Sequence, residues 1–164
     1  MMQIAEARTD LDVLHLIMRV QADYARCIDD DRLESWPDFF DDPCIYKITT
    51  AANHREGLEA GIVFANSRGM LIDRVSALRE ANIYERQSYR HILGVPSILS
   101  RGKTGVRSET PFLVARILRD GLTDIFATGR YLDVYILKGD DAKLAERIVV
   151  CDSSRIDTLL ALPL

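Results

Sequence analysis

Three cysteines, Cys27, Cys44 and Cys151, and three histidines, His15, His54 and His91, are the side chains of this 164-residue chain best suited to bind a transition metal. A two-cysteine, two-histidine iron–sulfur centre requires paired Cys-x-His and Cys-x-x-His spacing, and no cysteine here has a histidine within three residues. A mononuclear non-haem iron site requires two histidines and a carboxylate on one face. His15, His54 and His91 are so widely separated that only the fold could gather two of them. The expectation is a chain with no catalytic residue, metal or cofactor of its own. The acidic run Asp29-Asp30-Asp31 reads as a cation site or, more simply, as a solvated loop leading into the next helix.

The elements that position these residues follow from periodicity. Val13, Ile17, Val20, Tyr24 and Ile28, joined by Leu14 and Met18, recur every three or four residues and predict a helix over Asp10–Asp29, capped by Thr9 or Asp10 and lying on a sheet. Ser35-Trp36-Pro37 opens a short second helix, since proline is tolerated in a first turn. Phe39 and Phe40 anchor that helix. Trp36 either pins it to the core or serves as an interface anchor.

A strand is expected over Cys44–Thr49, followed by the polar stretch Asn53–Gly57 and a short strand over Gly61–Ala65. Ser67 caps a third helix that runs to about Ala81. Four segments rich in β-branched and aromatic residues then follow, at about Tyr89–Leu99, Arg107–Arg119, Thr123–Lys138 and Lys143–Ser154. The turns between them are short, so neighbours should be antiparallel. Helices first and a long meander after them is an α+β pattern, with helices packed on one face of a curved antiparallel sheet. Residues 1–164 read as one domain, which at this length buries about 70% of its unfolded surface.

Two features point to contacts beyond one layer. In the segment Tyr131–Leu137, one parity carries Leu132, Val134 and Ile136; the other carries Tyr131, Tyr135 and Leu137, with Asp133 its polar member. An antiparallel sheet in a lone domain usually shows water one face, so either a second covering layer or the sheet's own curl is implied. The tail, residues 156–164, ends Leu159-Leu160-Ala161-Leu162-Pro163-Leu164 and should dock on its own domain or on a neighbour. Tyr131, Tyr135, Leu162 and Leu164 are therefore subunit-interface candidates. Arg90 and His91 join them as polar residues after the charged Glu85-Arg86 step, with a surface ion pair as the simpler role.

The net charge of −4 gives no general attraction to phosphate backbones or anionic lipid, so neither nucleic acid nor membrane is an expected partner. No apolar run reaches the 18 or more residues of a membrane span. An odd cysteine count without paired spacing, and a start at Met1–Asp10 lacking a basic flank before an apolar run, read as cytoplasmic.

The stretch Arg74–Gly94, the segment Tyr24–Phe40 with its acidic run followed by Trp36 and Phe39, and the Arg90-His91 step resemble the small (beta) subunit of Rieske-type aromatic-ring-hydroxylating dioxygenases. Glu56–Val63, Arg90–Ile98 and the end of the chain from Val150 look most like the terephthalate branch. Benzoate, anthranilate and salicylate oxygenase subunits are the near relatives. The resemblance implies a cone-shaped fold of the cystatin-like or nuclear transport factor-like class. It also implies a structural role beside a large (alpha) subunit that carries the Rieske cluster and mononuclear iron. Three copies would associate as a trimer within a three-plus-three hexamer. NADH would supply electrons through a separate reductase or ferredoxin that contacts the large subunit, for dihydroxylation of an aromatic acid. The same cone also houses isomerases and dehydratases. In that alternative Tyr24, Asp29 or Asp30, Tyr46 and His91 would line the mouth, moving a proton and stabilising an oxyanion.

Overall fold

The computed structural model describes residues 8–81, 87–155 and 162–164. The first helix, α1, spans Asp10–Asp29. Its start is set by a reciprocal capping box: Thr9 Oγ1 accepts from the Asp12 main-chain N–H, and the Asp12 carboxylate accepts from that of Thr9. Val13, Leu16, Ile17, Val20, Gln21, Tyr24 and Ile28 form its buried stripe. A 3₁₀ helix, Leu33–Phe39, follows, and its Trp36 is fully buried, edge-on to Phe40 and Tyr46 at 5.6 and 5.1 Å. Trp36 thus pins this turn to the core.

Next come β1 (Phe40–Thr50), α2 (Ala51–Arg55), β2 (Val63–Ala65) and α3 (Arg68–Ala81). Ser67 caps α3 as expected, its Oγ accepting from the Met70 N–H. The remaining strands are β3 (Gln87–Leu93), β4 (Ser97–Arg101), β5 (Gly105–Leu118), β6 (Thr123–Lys138) and β7 (Asp141–Cys151). The sheet is curled and ordered β2-β1-β7-β6-β5-β3, with β4 pairing the same strand β5 beyond β3. This is the α+β cone expected from the sequence.

Four details differ from expectation. β1 starts at Phe40 rather than Cys44, and its register against β7 shifts between Phe40 and Ile45, so Pro43 sits where ladder pairing is already broken. The polar stretch after it contributes to a short helix, because Thr50 Oγ1 caps it at the Asn53 N–H. The segment expected as one strand over Tyr89–Leu99 splits into β3 and β4 at Gly94-Val95-Pro96, where Gly94 packs against Pro111. Finally, β1 pairs β7 in parallel, the other strand pairs being antiparallel. The first strand thereby closes onto the last one through a long crossover, which short-turn reasoning does not detect.

One apolar core joins α1, the 3₁₀ turn, α3 and the inner face of the sheet. Inward positions on β5 and β6 include Val106, Phe112, Val114, Tyr131 and Tyr135, all buried. Leu132, Val134 and Ile136, on the opposite face of β6, are half-buried. The curl and α1 therefore cover one face fully and leave the other partly open. Among the described residues no helix is long and apolar enough to cross a membrane.

Candidate functional site

Inside the cone, polar side chains gather around Arg147 on β7. Its Nε and Nη2 donate to the two Asp133 carboxylate oxygens, each at 2.8 Å, and Nη2 also reaches the Tyr135 hydroxyl at 3.2 Å. The guanidinium lies between two aromatic faces, 4.1 Å from the Tyr24 centroid and 4.0 Å from that of Tyr131. Tyr131 in turn stacks on Phe112 at 4.5 Å. Gln21 extends the network from α1, donating to Thr110 at 2.8 Å. Burial alone would push Arg147 toward losing its proton, but Asp133 outweighs it and holds the guanidinium charged. Burial raises the phenols of Tyr24, Tyr46, Tyr131 and Tyr135.

The chain's own tail occupies the space beside this network. Leu162 and Leu164 are buried, and the Leu164 main-chain oxygen accepts from the Tyr24 hydroxyl at 2.9 Å and the Tyr46 hydroxyl at 3.2 Å. Tyr46 also accepts from the Leu164 N–H at 3.1 Å. Tyr24 and Tyr46 are thus brought together, but as clamps on Leu164. The rest of the apolar tail, residues 156–161, lies outside the described residues, as does the Glu85-Arg86 step.

Asp29 and His91 form a second, separate pair where the end of α1 meets β3. The His91 ring Nδ1 donates to Asp29 Oδ1 at 2.6 Å, and the His91 main-chain N–H donates to Oδ2 at 2.9 Å. Both side chains are almost wholly buried, at 0% and 3% exposure, while Arg90 is largely exposed and 3.8 Å from Asp29. Among the described residues, His91 Nε2 has no hydrogen-bond partner. Asp30, by contrast, is exposed and pairs loosely with Arg32 at 3.7 Å. Asp31 pairs with Arg79 at 2.9 Å, which makes the acidic run a helix terminus with ordinary ion-pair partners.

Of the six interface candidates, Tyr131, Tyr135, His91, Leu162 and Leu164 face the interior, and Arg90 faces solvent. Asp133 was visible in the sequence as one polar residue in an apolar parity; its partner Arg147 was not. A register shift between Val134 and Tyr135 in the β6–β7 ladder hides the parity that would have aligned them. Among the described residues no group of three or more histidine, cysteine or acidic side chains is placed to hold a metal ion. Cys27, Cys44 and Cys151 are separately buried as free thiols. This donor set does not fit an iron–sulfur cluster or a mononuclear iron.

Residues 23–158 match the family described as ring hydroxylating beta subunit. The chain is 54% identical over 148 residues to the terephthalate 1,2-dioxygenase terminal oxygenase component subunit beta 1 of a Comamonas species, covering 90% of this chain and 96% of that one. It is 34% identical over 155 residues to the anthranilate 1,2-dioxygenase small subunit of Burkholderia cepacia, covering 94% and 96%. Among solved structures it is similar to a protein from Novosphingobium aromaticivorans assigned as the beta subunit of an aromatic-ring-hydroxylating dioxygenase. That likeness has a TM-score of 0.86 and 38% identity, and covers 93% of this chain and 97% of the other.

Proposed function

The chain belongs to the ring-hydroxylating beta-subunit family, and on that premise we propose that it is the non-catalytic structural subunit of a cytoplasmic oxygenase that dihydroxylates an aromatic acid such as terephthalate or benzoate. The observation that carries the reading is the filled cone. Where a cone-fold enzyme would seat a substrate, this chain places the Arg147–Asp133 pair, four buried tyrosines and its own Leu164. A space packed in this way is suited to rigidity rather than turnover.

In this proposal the large subunit supplies the Rieske cluster, the mononuclear iron and the substrate pocket, and NADH delivers electrons to it through a separate reductase. Three copies of this chain support three large subunits. The half-buried outer face of β6, with Leu132, Val134 and Ile136, and the exposed Ile92, Val95 and Leu99 supply apolar surface for assembly. Interface roles assigned from sequence to Tyr131 and Tyr135 pass to these neighbours of opposite parity.

Co-expression with the large subunit of the same oxygenase tests the proposal. A mixed oligomer active on an aromatic acid is expected, together with an isolated beta chain that is iron-free and inactive. Turnover by the isolated chain, or a large subunit that assembles and works fully without it, would overturn the reading.

A further inference from the structure

A groove of about 330 Å³ opens between α1 and the bend that joins β3 to β4. Its wall is mostly apolar, with Met18, Ala22 and Ala25 of the helix facing Leu93 and Pro96. One side of it is an open sheet edge, since among the described residues β3 is the last strand of its row and pairs with β5 alone. Ladder parity fixes which main-chain groups point to that edge. The Gly94 N–H turns toward β5 and donates to the Pro111 carbonyl, whereas the His91 N–H turns the other way, to Asp29. Leu93, two positions on from His91, therefore directs its N–H and C=O away from β5, to the side where α1 and the groove lie. An unpaired edge of this kind accepts an extended segment of another chain as an added strand. Asp29 already covers the edge at His91, so addition is confined to the stretch from Leu93 to Pro96.

Charge at the rim narrows the occupant. Arg26 and Arg90 border the groove. Arg26 holds Asp23 at 3.1 Å, and Arg90 stands 3.8 Å from an Asp29 whose two oxygens already accept from His91. Both guanidiniums are largely exposed and such pairs are worth little, so both can turn to a carboxylate brought by a partner. A second copy of this chain brings none on a free edge. The strands β2, β3 and β4 contain no aspartate or glutamate, and two β3 edges laid together would set Arg90 beside Arg90. Ile92 and Val95, exposed neighbours of the lining residues in the chain, belong to the apolar surface assigned above to assembly. We propose that an extended segment of the large subunit docks in this groove, pairing its main chain with Leu93, seating an apolar side chain between Ala22 and Pro96, and placing a carboxylate at Arg26 and Arg90. The inference rests on the assembly role and adds the surface by which the large subunit is held.

Amide hydrogen exchange of the full chain, alone and in complex with the co-expressed large subunit, tests it. The Leu93 amide should exchange about tenfold or more slowly in the complex, and its exchange in the isolated chain should not depend on concentration. Ala22→Trp fills the groove from an exposed helix position. It should weaken the complex by about tenfold or more while leaving the circular dichroism spectrum of the chain unchanged. Replacing Arg26 and Arg90 together by glutamine should weaken the complex by about tenfold and flatten its salt dependence. If Ala22→Trp does not fold, exchange at Leu93 in the unsubstituted complex decides. No complex with the unsubstituted chain would remove the assembly role and this site together. A complex in which Leu93 exchanges as it does in the free chain, or one that Ala22→Trp joins with undiminished affinity, would overturn the site and leave the assembly role standing. Protection that grows in the isolated chain as its concentration rises would give the groove to a second copy and overturn the site as well.

Discussion

Arg147 and Asp133 face each other across the β6–β7 ladder with two 2.8 Å hydrogen bonds, and neither side chain reaches solvent. A buried pair of this kind contributes little net stability, but removing one partner strands a charge. Asp133→Ala should therefore cost about 3–5 kcal/mol in urea unfolding followed by circular dichroism, while Asp133→Leu combined with Arg147→Met should recover most of that loss. A single variant within about 0.5 kcal/mol of the parent would mean that the guanidinium is solvated in solution.

The buried tyrosines predict an alkaline limit. Burial raises the phenols of Tyr24, Tyr46, Tyr131 and Tyr135 above their unfolded values. The unfolded chain therefore releases these protons first. The stability they contribute is complete below the unfolded value of about 10 and falls as pH rises beyond it. Tyrosinate absorbance should rise in one cooperative step that coincides with loss of secondary structure. A smooth titration of all six tyrosines with the fold intact would contradict this.

Thiol chemistry offers an independent check on the core. Cys27, Cys44 and Cys151 are buried and free, and burial, aided by the charge of Asp152, pushes Cys151 up to about 12. An aromatic disulfide reagent at pH about 8 should label none of the three rapidly in the folded chain and all three in denaturant. Prompt labelling of Cys151 would indicate that the β7 end opens on its own.

Gly129 is fixed by its neighbour strand. An added Cβ would overlap the Val150 carbonyl oxygen, a backbone atom that cannot move aside. Gly129→Ala should destabilise by about 1–3 kcal/mol or more, with lowered cooperativity in thermal melts. Unchanged melting would show that β6 and β7 can separate locally at no cost.

Much of this arrangement was written in local pattern. The α1 boundaries follow from a capping residue and an unbroken helical stripe, and the β5–β6 and β6–β7 hairpins from their turn residues, including Gly139 at φ 57°. What the pattern concealed is non-local. The parallel β1–β7 pairing joins the two ends of the chain, and the bulge at Val134/Tyr135 shifts Arg147 into register with Asp133. The Asp29–His91 contact spans 62 positions and depends on where the end of α1 meets the sheet. Parity also misled in one respect. Two apolar faces on β6 suggested an intersubunit surface at Tyr131 and Tyr135, whereas curl had turned those side chains inward.

The tail provides the sharpest separation between folding and assembly. Leu164 is fully buried and held through its main chain by Tyr24 and Tyr46, so its side chain acts on the chain's own core. Leu164→Ala should cost about 2–5 kcal/mol of stability, and Tyr46→Phe, which removes two hydrogen bonds, about 1–3 kcal/mol. Both losses should appear in unfolding of the isolated chain, before any subunit mixing. Replacing Leu162 and Leu164 together by aspartate should then weaken assembly only in proportion to the unfolded fraction. A double variant as stable as the parent yet unable to join the large subunit would place the tail at the interface instead.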